Sequence, residues 1–272
     1  MFSPYYAWAR RRGGGDPLDH CAVNVALHGP RGRRWAFTER GRAAVRRGPG
    51  WLGIGPSALS WDGDSLLIEL DERAALSPAR IRGTVRVRPQ ALTGHTELLD
   101  AAGRHRWSPL APSAQVEVAL RHPEARWSGA GYFDSNAGDR PLEDDFTTWH
   151  WSRAGLRRGA AVFYDVARRD GGSLAVALRV DPSGAVAAIA PPPAAALPAS
   201  RWGLARRTRV DAGHAASVAR SLLDAPFYAR SVLATHVLGE AATAMHESLS
   251  MDRFRAPWVQ AMLPFRAPRA LR

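Results

Sequence analysis

Along most of the chain the apolar positions recur with a period of two, in short runs broken by Gly, Pro, Asn and Asp. Residues 21–27 alternate and predict a half-buried strand, because successive strand side chains point to opposite faces. Further strands are predicted over residues 34–38, 43–46, 58–61 and 65–70, the last two joined by an Asp62-Gly63-Asp64 turn. Residues 80–87 alternate again, with Ile81, Gly83, Val85 and Val87 on one side and a solvated face of Arg80, Arg82, Thr84 and Arg86 on the other. From residue 88 to about 113 the pattern loosens around Pro89, Pro109 and Pro112, and a domain boundary is expected between 112 and 113. Beyond it, residues 115–120 and 127–134 read as strands about a His122-Pro123-Glu124 turn. Asp139 to Asp145, including Glu143 and Asp144, reads as a solvated polar loop. Residues 146–152 form an aromatic strand in which Trp149 and Trp151 share a face and His150 takes the other. Residues 160–168, 173–180 and 185–190 make a meander, Pro191 to Ala199 a stiff connector, and residues 202–210, 216–223 and 228–238 three more strands. The last of these and residues 241–250 fit either strand or helix.

Helical periodicity is scarce and short strands recur roughly every eight to twelve residues, which predicts an all-β protein of antiparallel barrels or sandwiches. The 272 residues suit two units in tandem, 1–112 and 113–272. Tyr5, Tyr6 and Trp8 form an aromatic start that looks like the middle of a folded unit, since free ends are usually polar.

The net charge of +12 comes entirely from Arg, with no Lys. Its short clusters, Arg10 to Arg12, Arg31 to Arg34 and Arg206 to Arg209, form no continuous basic helix face, and no nucleic-acid-binding signature accompanies them. Nucleic acid is therefore not an expected partner, whereas anionic lipid headgroups are. Phe254, Trp258, Met262, Leu263 and Phe265, set among Arg253, Arg255, Arg266 and Arg269, are either a docking surface or a packed terminal segment. The single cysteine, Cys21, makes neither an internal disulfide nor a cysteine-based metal site. No apolar run reaches a membrane-spanning length, and the start lacks a signal-peptide layout, so a cytoplasmic, membrane-peripheral location is expected. The acidic loop lacks calcium-ligand spacing, Asp16 to His20 reads as a turn, and Gly13-Gly14-Gly15 lacks a phosphate-loop context.

Candidate chemistry gathers at Tyr132-Phe133-Asp134. In a strand Tyr132 and Asp134 share one face and Phe133 points away. A phenol beside a carboxyl is either a structural pair or an acid with aromatic support. His105, flanked by two Arg, is alone an ordinary surface residue, and His150 is either a wall residue or a supporting partner. Asp165 follows Tyr164 directly, so those two face opposite ways.

The segment from Gly129 through Tyr132, Phe133 and Asp134 to Asp139, running on to Phe146-Thr147-Thr148-Trp149-His150-Trp151-Ser152-Arg153, resembles the carotenoid 1,2-hydratase (hydroxyneurosporene synthase) family. So do Phe2 to Arg10 and His20 to Leu27, and the resemblance covers essentially the whole chain. It implies tandem lipocalin-like barrels, no cofactor, and addition of water to the terminal double bond of acyclic carotenoids such as neurosporene and lycopene, as in phototrophic bacteria. The first barrel is expected to be incomplete, because relatives carry a longer segment before the Phe-Ser-Pro-Tyr-Tyr start. The family's His-x-Trp falls on His105 and Trp107, and its Tyr-x-Asp on Tyr132 and Asp134. These imply a catalytic set of Asp134, His105, Tyr132 and Trp107, with Trp127, Phe133, Trp149 and Trp151 lining the substrate.

Protonating the less substituted alkene carbon yields a tertiary cation that water captures. The donor must be neutral at working pH, and an Asp buried among aromatics meets that need, although its reference value is about 3.9. Trp107 and Tyr132 are expected to support the cation, and His105 to take the proton of the attacking water or to reprotonate Asp134. The alternative from another class is a lipocalin-like carrier that binds carotenoid or lipid without chemistry.

Overall fold

The computed structural model describes residues 2–29, 32–74 and 79–270, so Arg31 of the second basic cluster lies outside the described residues. Helix α1 (Pro4–Arg11) is started by Ser3, whose hydroxyl accepts from the Tyr6 N–H at 2.9 Å, and by a proline in its first turn. The aromatic start is thus a helix. A hairpin of β1 (Cys21–Gly29) and β2 (Gly32–Arg40) follows, then β3 (Val45–Gly48), β4 (Trp51–Ile54), β5 (Ser57–Trp61), β6 (Leu66–Arg73) and β7 (Arg80–Pro89). The short β8 (Glu97–Leu98) pairs with the start of β9 (His105–His122), which turns at Pro123 into β10 (Glu124–Gly138). A single helical turn, α2 (Leu142–Asp145), leads to β11 (Phe146–Leu156), β12 (Gly159–Arg168), β13 (Ser173–Val180) and β14 (Val186–Ala188). The proline-rich connector contains β15 (Ala194–Leu197), which pairs with β16 (Arg206–Arg209). Then come β17 (Ser217–Asp224), β18 (Tyr228–Val237), β19 (Glu240–Ser250), and the helices α3 (Met251–Arg255) and α4 (Pro257–Arg266).

The chain divides into two compact units that do not follow chain order. One holds the residues up to 88, 115–131 and those from 260 onward; the other holds 89–114 and 132–259. The boundary expected between residues 112 and 113 falls inside β9. The prolines that suggested it are accommodated through their carbonyls: Pro109 accepts from Thr93 Oγ1 at 2.6 Å and Pro112 from Arg153 Nε at 2.7 Å. A proline is tolerated within a strand where no ladder N–H is required of it.

In the first unit, β3 to β7 with the outer parts of β9 and β10 form an antiparallel sheet, and β1–β2 form a separate hairpin. Its core joins Ala36, Leu70, Ile81, Val118 and Leu120, with Val23, Val25 and Leu27 of β1 packed against it. Gly83 in β7 takes φ 148°, and a Cβ there would stand 2.3 Å from the Ala119 carbonyl oxygen of β9. The arginine face of β7 is paired rather than simply solvated, with Arg80 donating to Asp71 at 2.6 Å. The buried Glu39 is held by Ser3, His20 and Arg269, and the buried Glu72 accepts from Arg40 at 2.8 Å and from Ser57 at 2.7 Å.

In the second unit the sheet order is β14-β13-β12-β11-β19-β18-β17, antiparallel throughout, and residues 241–250 are therefore strand. One face of this sheet packs Ala154, Phe163, Leu233 and Ala244 against Leu197 of β15. The β15–β16 ribbon is tied to that face by Arg206 donating to Ser231 at 3.0 Å and by Arg209 donating to Asp165 at 3.0 Å. The opposite face carries the aromatic side chains described next.

Candidate active site

Residues directly opposite in an antiparallel pair place their side chains on the same face. The register sets Tyr164 of β12 opposite Trp151 of β11, Trp151 opposite Glu247 of β19, and Glu247 opposite Arg230 of β18. These four form one row across the sheet. Two residues along, Trp149, Leu249 and Tyr228 form the next row of the same face.

Against this face lie the inner halves of β9 and β10. Trp107 is buried and packs on Tyr164, with ring centroids 5.3 Å apart, and Tyr132 packs on Trp151 at 5.0 Å. Trp149 lies 6.2 Å from Tyr164. Asp134, one strand repeat from Tyr132, accepts from the Trp107 indole N–H at 2.9 Å. The two sequence dyads are thus joined through Trp107 and Asp134.

Burial raises the Asp134 carboxyl above its ordinary range, and the Glu247 charge adds to the rise; the Trp107 N–H and the Arg230 cation oppose it. Burial raises the Tyr132 and Tyr164 phenols too, with Glu247 and Asp134 contributing, so both remain neutral donors. Glu247 is gripped by Arg230, whose Nε donates to Oε1 at 2.9 Å, and the Tyr228 hydroxyl accepts from the same Nε at 2.8 Å. Burial disfavours the Arg230 cation, yet Glu247 together with the Tyr228 and Tyr132 phenols outweighs it and holds the guanidinium above its usual value. Arg153, on the same face, donates to the Pro112 carbonyl, and burial lowers its guanidinium.

His105 sits elsewhere on β9's inner half. It is 2% exposed, its Nε2 lies 2.7 Å from Asp145 Oδ2, and its ring packs on Phe146 at 4.8 Å. Asp145, expected in a solvated loop, is instead nearly buried; Arg104 reaches it at 3.0 Å and Arg140 at 3.4 Å. A Cβ on Gly138 of β10 would stand 2.9 Å from His105 Nδ1, so the imidazole is enclosed from that side as well.

Of the remaining expected residues, Phe133 points to the other face of β10, by strand alternation. Trp127 is 49% exposed and belongs to the first unit's share of that strand. His150 lies on the ribbon-covered face, 2.7 Å from Ser248 Oγ, and burial pushes it down to about 4. His246 on that same face is pushed down to about 4, also by burial. Among the described residues no three His, Cys, Asp or Glu converge at metal-ligating spacing.

Glu247, Arg230, Tyr164 and Asp145 were missed from sequence. A signal existed: Glu247 stands between Met245 and Leu249, and Arg230 between Tyr228 and Val232, each a charge on the apolar register of a strand. It was unreadable while residues 228–238 and 241–250 stayed open between strand and helix.

A profile described as carotenoid hydratase CrtC matches residues 1–272. An acyclic carotenoid 1,2-hydratase of Thiocapsa roseopersicina is 54% identical over 270 residues, which cover 99% of this chain and 67% of that protein. Enzymes of the same name from Rubrivivax gelatinosus and Cereibacter sphaeroides are 45% and 42% identical over 272 residues, covering 67% and 95% of their lengths. Among solved structures, a protein described as an AttH from Nitrosomonas europaea superposes with a TM-score of 0.60 at 15% identity, covering 83% of this chain and 80% of that one. CghA with Sch210972 gives a TM-score of 0.54 at 12% identity, covering 82% and 81%. These two likenesses concern the fold alone. The full-length profile match and the extended identity to three hydratases place this protein in the carotenoid hydratase family.

Proposed function

We propose that this chain adds water across the terminal C1–C2 double bond of an acyclic carotenoid such as lycopene or neurosporene, with Asp134 as proton donor. The observation that carries the reading is the Asp134 carboxyl, raised by burial and tethered to the Trp107 indole on an aromatic face. Its proton goes to C2, the π electrons form the new C–H bond, and C1 becomes a tertiary cation. Water adds at C1, its extra proton is released, and Asp134 is reprotonated from solvent. A cation beside the ring faces of Trp107, Tyr132 and Tyr164 gains roughly 2 kcal/mol or more where water is excluded. With its Nε2 on Asp145, His105 is a positioning residue in this scheme, holding the start of β9 against α2.

Incubation with lycopene in oxygen-labelled water tests the reading. Label in a tertiary alcohol is expected from the wild type and none from Asp134→Asn. Alcohol formation by Asp134→Asn at the wild-type rate would remove the carboxyl from its role.

A polyene hydrocarbon resides in lipid, and the C-terminal helices suit a peripheral encounter there. Trp258, Met262 and Phe265, at helical spacing along α4, are 49%, 42% and 73% exposed. Phe254 is instead buried against Phe227, and Arg269 is bound to Glu39, so neither belongs to such a surface. No helix among the described residues is long and apolar enough to cross a membrane. Sedimentation with anionic vesicles is expected to carry the wild type and to lose Phe265→Ser; equal binding by both removes α4 from the contact.

A further inference from the structure

On the catalytic face the buried indoles of Trp107 and Trp151 differ in one respect. Trp107 Nε1 donates to Asp134. Trp151, 5% exposed, has an Nε1–H that is buried and has no hydrogen-bond partner. Leaving such a donor unsatisfied is costly, so an orphan of this kind in a site calls for an acceptor. Trp151 packs on Tyr132, the neighbour of Asp134 on its strand face, and lies directly opposite Glu247 in the sheet. A donor without a partner and a carboxylate thus stand side by side on the face that Asp134 meets.

We propose that Trp151 and Glu247 form the water site of the hydration: the indole N–H donates to the oxygen of the attacking water, and the Glu247 carboxylate accepts one of its hydrogens. Held in this way, a water lone pair is free for the C1 cation. As the O–C1 bond forms, one O–H bond breaks and its proton passes to Glu247, leaving the neutral tertiary alcohol. The other proton of the overall addition has already gone from Asp134 to C2, so one water is consumed; Asp134 is left ionised and Glu247 protonated, and the cycle closes when Glu247 gives its proton to solvent and Asp134 takes one back. A protonated tertiary alcohol is strongly acidic, so a carboxylate is base enough. Arg230 and Tyr228 position it, through the guanidinium bond to Oε1 at 2.9 Å and the bond between guanidinium and phenol. The negative charge there also favours the cation and disfavours ionisation of Asp134, so the two carboxyls divide the roles of acid and base.

The inference rests on Asp134 being the proton donor, and heavy water separates the two claims. If Asp134 protonates the alkene but water capture is impaired, the cation returns a proton and deuterium appears in recovered carotenoid. Glu247→Gln is expected to form alcohol at least tenfold more slowly while still exchanging deuterium into unreacted polyene. Trp151→Phe, which keeps the ring and the Glu247–Arg230 pair, is expected to shift the ratio of exchange to hydration the same way, with KM for the carotenoid unchanged within twofold. Asp134→Asn should abolish both; exchange surviving in that variant sinks the donor assignment and leaves the water site to be judged by the ratio. Wild-type hydration in both Glu247→Gln and Trp151→Phe, or a Trp151→Phe enzyme that loses exchange in step with hydration, overturns the water site.

Discussion

Replacing Trp107 with Phe isolates the hydrogen bond that opposes the effect of burial on the Asp134 carboxyl. The indole N–H lies 2.9 Å from Oδ2 and favours the ionised carboxyl, opposing burial and the Glu247 charge. A bond to a charged acceptor contributes roughly 1.5–3 kcal/mol. The neutral acid also accepts through the same oxygen, so the difference between the two protonation states lies at the lower end of that range. About 1.4 kcal/mol is tenfold in the ionisation equilibrium. Without the indole the ionised fraction of Asp134 at a fixed pH should therefore fall roughly tenfold. As the proposed proton donor Asp134 must be protonated, so activity should decline as pH rises through its titration. In Trp107→Phe that decline must move to higher pH. The assay is kcat/KM for lycopene hydration across pH in detergent micelles, with thermal unfolding as a control, because the smaller ring leaves space beside Tyr164. A falling limb that stays in place, or moves to lower pH, would refute the claim that this bond tunes the acid.

Asp134→Asn removes a carboxyl whose folded-state pKa is raised, so the wild type loses stability as pH rises through that value. The variant should melt higher than wild type above that pH, with the difference vanishing once acid has protonated the carboxyl in both folded and unfolded chains. Tyr132→Phe keeps the ring on Trp151 and should retain most activity, whereas Tyr132→Ala forfeits about 2 kcal/mol of cation stabilisation, roughly thirtyfold in kcat. Equal losses in the two variants would assign the effect to the hydroxyl instead. His150 and His246, both pushed down to about 4 by burial, bind protons in the unfolded chain before the folded one. Stability should fall as pH drops from about 6.5 towards 4 for this reason, and imidazole resonances that titrate near 6.5 in the folded protein would contradict it.

The strands were legible because their period of two is enforced by burial of one face. The meander of β12 to β14, the hairpin turn before β6 and the His122-Pro123 turn all fall where alternation and turn residues put them. The short β4 carried no alternating signal: Trp51 and Gly53 are the outward positions of a strand of four residues. The division into units was not legible, since β9 and β10 each contribute residues to both, and prolines inside β9 mimicked a boundary. Within the site, spacing on one strand was readable and pairing between strands was not. That Tyr132 and Asp134 share a face follows from alternation, but that Trp107 reaches Asp134 while His105 meets Asp145 depends on which strands are neighbours. Glu247 entered only once register placed it opposite Trp151.

The two members of the His-x-Trp therefore have different work, and Gly138 offers a way to show it. Trp107 touches the acid, whereas His105 is boxed in by Phe146, Asp145 and the Gly138 backbone. A methyl group at position 138 would stand 2.9 Å from Nδ1 and 3.4 Å from the Arg104 carbonyl oxygen. Either the imidazole shifts off Asp145 or β10 moves at the end that carries Asp134. Overpacking of this kind costs about 1–3 kcal/mol, so Gly138→Ala should lower the melting temperature and kcat together. Asp145→Asn, which weakens the same contact from the other side, should do likewise. If His105 only positions the strand, both variants keep the wild-type shape of the pH–rate profile. A limb that appears or disappears in either would show that this imidazole exchanges protons during turnover.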